Sequence, residues 1–218
     1  MWTIPEIYEA YHIMPNLQMH QLRVAAVGKR ICDHFSGELD SQAVILACLF
    51  HDMGNIIKFD LNYFPKFLEP QGKAYWESVK ADYLHKYGAD EHAASNEIAK
   101  ELGLPEHVRI LIDEVRFSRL ALARDSADFE GKIVKYSDLR VSPFSVVSVM
   151  DRLEEGKGRY ATKKQYETPE GVARYEAGVE AAQAIEQQIF ECCSIRPEEI
   201  NDETVAPLIE ELRNYSLA

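Results

Sequence analysis

Cysteine is scarce in this chain. There are four in 218 residues, none of them spaced as CxxC, so no disulfide framework is indicated. Cys48 lies in an apolar run and reads as a small core residue. Adjacent Cys192 and Cys193 close a helical pattern and read as reduced thiols. Long apolar runs are missing too, since none approaches the ~20 residues that cross a bilayer. The opening "MWTIPEIYEAYHIMPN" lacks a basic stretch followed by an apolar one, so a cytoplasmic location is expected. Positive charge is in short supply: 24 Lys and Arg stand against 36 Asp and Glu, a formal net charge of −12 spread along the chain. Such a surface repels nucleic-acid backbones and anionic membranes, so no nucleic acid and no membrane is expected as a partner. A small phosphorylated ligand in a locally positive pocket remains compatible. Internal repeats, low-complexity segments and βαβ alternation are absent as well.

What is present is helical periodicity and its punctuation. With 46% apolar and 28% charged residues, the composition is that of one globular domain. "LQMHQLRVAAVGKRICDHF" places Leu17, Val24, Val27 and Ile31 on one helix face. Asp40 and Ser41 cap the next helix, which ends near Gly54. A connection rich in aromatics follows, with Pro and Gly as punctuation, then a helix stopped by Gly88. Asp90 starts a further helix, Gly103 stops it and Pro105 opens its successor. One helix is expected before Pro143 and one after it, with "SVVSVM" read as a helix entry. "GKGRYATKKQYETPEG" is expected as a loop, Pro169 to Phe190 as a long helix with Val172, Tyr175, Val179, Ala182 and Ile185 as its apolar stripe, and "DETVAPLIEELRNY" as the last helix. The expected fold class is all-α, a single domain.

Chemistry concentrates where oily helices carry polar groups. "AVILACLFHDMGN" is apolar until it presents His51 and Asp52 together, a costly pair in a core unless both find partners. His20 in "LQMHQLRVA" and Asp138 in "IVKYSDLRV" are similarly placed. Imidazoles with carboxylates suit one divalent transition metal ion, Mn, Fe, Co, Ni or Zn, without selecting among them. Taken singly, each residue is as well read as a cap, a salt-bridge partner or a hydrogen-bonded core side chain.

Their order, His20, then His51-Asp52 with Gly54, then Asp138, resembles the H…HD…D signature of the HD superfamily of metal-dependent phosphohydrolases. "HDMGN", "EHAASNEIAKELGLPEHV" and "KIVKYSDLRVSP" are similar to further motifs of that family, and the resemblance covers Asn16 to Leu153. It implies an HD-type helical domain at 16–153; the rest of the chain is read as an N-terminal segment, 1–15, and a C-terminal helical extension, 154–218, packed on the same domain. It also implies that His20, His51, Asp52 and Asp138 bind one metal ion, with Asp52 placed to bridge to a second. Family members with two metals add two further histidines. His92 matches one, but "LIDEVRFSRL" offers none at the other, which argues against a second ion; His85 is an outside candidate for it or for substrate.

The implied activity is hydrolysis of a phosphomonoester or nucleotide by a metal-activated water. The alternative is a nucleotide-binding sensor module of the same fold with little or no turnover. Asp60, nine residues after His51, stands where some family nucleotidases place a catalytic carboxylate, although the companion acidic position is Asn55 here. Asp52 and Asp60 are thus the catalytic candidates. Lys58, Arg23 and Arg140 are the candidates for a substrate phosphate, and the lysines of "EEGKGRYATKK" read as solvated. The connection "FDLNYFPKFLEPQGKAYW" is open to three readings: a base-binding pocket, a lid, or a face packed on a second subunit of a homodimer.

Overall fold

Asp40, Asp90, Asp128, Thr168 and Asn201 each accept a hydrogen bond from the free amides that follow them, and a helix begins at every one of these places. The computed structural model describes residues 2–160 and 168–217. Among them run eleven α-helices: α1 (Ile4–Ala10), α2 (Pro15–Cys32), α3 (Ser41–Phe50), α4 (Lys73–Tyr87), α5 (Glu91–Glu101), α6 (Glu106–Glu114), α7 (Leu120–Asp125), α8 (Phe129–Leu139), α9 (Val149–Tyr160), α10 (Pro169–Phe190) and α11 (Asp202–Arg213). Two-residue strands, Trp2–Thr3 and Ser216–Leu217, pair antiparallel near the chain ends. The all-α expectation holds.

The core is organised around α3. Seven of its ten residues are buried, so it needs apolar cover on nearly every side. Helices α2, α6 and α8 supply that cover. Gly28 is where α2, α3 and α8 converge: a Cβ there would stand 3.1 Å from Cys48 Sγ and 3.3 Å from Ser137 Oγ, so the absence of a side chain sets how closely the helices approach. Outside this centre α11 lies on α2, and α10 lies on α7 and α8. The division at 153/154 falls inside α9.

The structure departs from the sequence reading in several places. The N-terminal segment holds α1, which is too short to show a period but is started by Thr3 and Glu6 in a capping box with Pro5 in the first turn. The short α7 was likewise not foreseen. "SVVSVM" begins extended, with Val146 bridged to Val141, and the helix starts only at Val149. That helix then continues through Gly156 and Gly158 into the expected loop, because Leu153 is buried and Arg152 Nε donates to the Val141 carbonyl. Lys163 and Lys164 lie outside the described residues. Val172 is exposed, whereas Val179 packs at the edge of the core and Ala182 and Ile185 are buried in it.

Candidate metal centre

His51 is the residue around which the site is arranged. It caps the C-terminal end of α3 and is 2% exposed. Its Nδ1 lies 2.8 Å from the Cys48 carbonyl, to which it donates, fixing the ring's tautomer and orientation. Nε2 is thereby the ring nitrogen left for the neighbouring carboxylates, and it has no hydrogen-bond partner although it is buried. Around it stand Asp138 Oδ1 at 3.5 Å and Asp52 Oδ2 at 3.7 Å. His20 Nε2, from α2, lies 3.1 Å from Asp138 Oδ1 and 3.8 Å from Asp52 Oδ2. One ligand atom from each of His20, His51 and Asp52 falls within 4.8 Å of the other two. The four side chains named from the sequence are therefore brought together from three separate helices.

The electrostatics of this group are those of a cation site. His51 ends α3, Asp52 follows it, and Asp138 stands in the last turn of α8. Both are helix ends where the macrodipole is negative and carboxylates are disfavoured. Burial works against every charge here, yet mutual attraction prevails. The carboxylates of Asp52 and Asp138 raise the His51 pKa to about 9 in spite of its burial. Burial would lift Asp52 and Asp138, but the two imidazoles hold Asp138 well below the usual range, and His51, Lys58 and His20 keep Asp52 low. An orphaned, buried imidazole nitrogen facing two ionised carboxylates and a second imidazole fits a divalent transition ion by donor chemistry.

Neighbouring groups aim these ligands. Buried Gln21, beside His20, accepts a hydrogen bond from the Asp52 amide at 3.3 Å and so ties α2 to the end of α3. The Tyr8 hydroxyl donates to the Leu49 carbonyl at 2.7 Å, bracing the same end from α1. Gly54 N–H donates to Ser95 Oγ, and that hydroxyl donates to the Glu91 carbonyl, which holds the HD turn against α5. Asn55 Nδ2 donates to Asp52 Oδ2 at 2.6 Å. Gln21, Tyr8 and Ser95 were not visible as site residues in the sequence.

The group opens into a cleft of about 560 Å³. Phe59, Tyr63, Phe64 and Phe67, from the connection after α3, form one wall, and Phe117 with Tyr175 forms another. Phe64 and Phe67 are in ring contact, with Tyr63 and Phe144 edge-on beside them, while Phe117 stacks on Tyr175 at 6.2 Å. Arg152 and Lys157 of α9 also face the cleft, the latter with its ammonium 5.5 Å from the Tyr175 ring. Lys135, from α8, lines the same space.

The remaining sequence candidates divide. Asp60 lines the cleft but is exposed, and one of its oxygens accepts from the Asn62 amide at 2.9 Å. Lys58 lines it too, 3.3 Å from Glu91 Oε1. His92 is at the cleft, 3.5 Å from Glu91 Oε1 and outside the three-residue ligand group; burial and the nearby Lys58 lower its pKa. His85 does not reach the site: it is exposed near the end of α4 and lines no part of the cleft. Arg23 turns toward α11, where its Nε lies 3.7 Å from Asp202 Oδ1. Arg140 is buried as a structural tie, donating to the Val147, Pro197 and Ile200 carbonyls and the Tyr136 hydroxyl. Four of its five N–H donors are used inside the protein, and neither Arg23 nor Arg140 lines the cleft, so the structure places both as ties rather than at the site.

Among the described residues no helix is long and apolar enough to cross a membrane. A family model described as HD domain matches residues 18–140, the span that contains all four clustered residues. No curated protein and no solved structure matches the chain.

Proposed function

This chain belongs to the HD-domain family, and from that membership we propose that it is a metal-dependent phosphohydrolase acting on a phosphomonoester or nucleotide. The observation that carries the reading is the buried Nε2 of His51, which has no hydrogen-bond partner and faces Asp52 and Asp138 with His20 alongside. His20, His51, Asp52 and Asp138 would hold one divalent ion. Such an ion lowers the pKa of a coordinated water toward ~7 and polarises a phosphoryl oxygen.

The chain's own residues do the rest. Cys48 fixes the His51 tautomer, and Gln21 and Asn55 orient Asp52 from its amide and carboxylate ends. Lys58 stands in the wall to meet negative charge on the substrate. Asp60, at the mouth, has one carboxylate oxygen in the Asn62 turn and the other available to handle the proton of a leaving alkoxide. The aromatic walls would take a flat organic group such as a nucleobase. The Asn55 amide on Asp52 Oδ2 and the position of His92 support a single ion.

Protein loaded with Mn²⁺ is expected to release phosphate from members of a nucleotide and phosphomonoester panel. His51→Ala should lower both metal content and turnover by at least ~100-fold. Phosphate release that is indifferent to His51→Ala and to chelation would sink the reading. A nucleotide that raises the melting temperature without being hydrolysed would select the sensor alternative.

A further inference from the structure

Lys135 is a buried cation in the cleft wall that the roles above leave unused. It stands one helical turn before Asp138 on α8, is 1% exposed, and lines the cleft beside the clustered ligands. Its Nζ donates to the Arg116 carbonyl at 2.8 Å, in the segment between α6 and α7. One carbonyl takes one of an ammonium's three protons. Among the described residues no carboxylate forms an ion pair with it at 4.0 Å or less. The negative charges that act on it from further away are committed elsewhere, Glu114 to Arg119 at 3.1 Å and Asp138 to His20 at 3.1 Å.

A buried ammonium with so little compensation is costly, and an apolar side chain of similar length would pack there at lower cost. The lysine has a use if its counter-ion arrives through the open cleft. We propose that Lys135 is an anion-binding residue of this site, and that its ammonium receives an oxygen of the phosphoryl group bound beside His20, His51, Asp52 and Asp138. That the anion is a phosphoryl group rests on the phosphohydrolase reading; that an anion belongs there rests on Lys135 itself. A compact point charge suits a tetrahedral oxyanion, which offers an oxygen in any direction. In the dry wall its attraction for that oxygen is screened less than that of exposed Lys58 at the rim.

Inorganic phosphate is the probe, titrated calorimetrically into the full chain in two arms, one in EDTA and one with Mn²⁺ present. Lys135→Gln is expected to weaken phosphate binding about tenfold or more in each arm, and Lys135→Arg to restore part of the loss. Mn²⁺ affinity measured without phosphate should stay within about twofold of wild type, because Lys135 adds no ligand. Lys135→Met, which removes the charge and keeps the length, carries the same comparison if the amide variant does not fold. Phosphate affinity unchanged in these variants would overturn the inference and leave Lys135 as a structural tie to the Arg116 carbonyl. So would wild-type protein that binds no phosphate in either arm. Wild-type protein that takes up no Mn²⁺ removes the metal reading instead, and the EDTA arm then decides Lys135 alone.

Discussion

A single backbone carbonyl decides what His51 can do. With Nδ1 turned to Cys48, the ring keeps its other nitrogen for the cluster, and that choice depends on the C-terminal geometry of α3 more than on any neighbour in sequence. Lys135 shows the opposite situation, a charge whose surroundings oppose it. Burial lowers its pKa from 10.5 to about 8, only partly offset by Glu114 and Asp138. The folded protein therefore binds fewer protons than the unfolded chain between those two values, and stability contributed through this group rises with pH across that window. Below pH 8 the protonated lysine carries its full penalty. Urea unfolding of wild type and Lys135→Met at pH 7 and pH 10 should show wild type gaining about 1–2 kcal/mol relative to the variant at the higher pH. A difference that stays constant between the two pH values would mean that Lys135 is not charged against its environment.

At the scale of the element, the turn after α3 carries the burden. His51 and Asp52 lead directly into Gly54, whose N–H reaches Ser95 and whose α-carbon is pressed on the first turn of α5. A Cβ at this position would meet the Glu91 carbonyl oxygen, a backbone atom that cannot step aside, and would stand 2.7 Å from Ala94 Cβ. Gly54→Ala is expected to push the HD turn off α5, at a cost of about 2 kcal/mol or more in chemical denaturation, and to weaken Mn²⁺ binding with it. Retained stability and metal affinity would show that the turn has slack. The glycine was legible in "HDMGN" as part of a motif. The reason for it, the approach of α5, was not, since the two segments are about forty residues apart.

For the molecule as a whole, the C-terminal third is tied into the family span through α8. Arg140 hands its guanidinium to the carbonyls of Pro197 and Ile200, α11 covers α2, and Arg152, Lys157 and Tyr175 complete the cleft from beyond the matched residues 18–140. Arg140→Met should thus act through the fold: a loss of about 2–4 kcal/mol in unfolding free energy, with phosphate affinity unchanged in the protein that remains folded. A fall in phosphate affinity at unchanged stability would return Arg140 to the site.

The sequence by itself determined the longer helices, because caps and apolar periods are local, while α1 and α7 are too short to show a period; it also determined the four clustered residues, because their order and surrounding motifs survive as a pattern along the chain. It also named Lys58, Asp60 and His92 as residues of the same neighbourhood. Only the tertiary structure decided where long cationic side chains go. Arg23 and Arg140 sit as near the ligands in sequence as Lys135 does, yet burial of α2 under α11 and of α8 under the 197–200 segment turns both arginines into ties. One turn back on α8, the helix face that holds Asp138 carries Lys135 to the cleft. Which side of a helix is covered depends on partners distant in the chain, and no spacing within the helix records them.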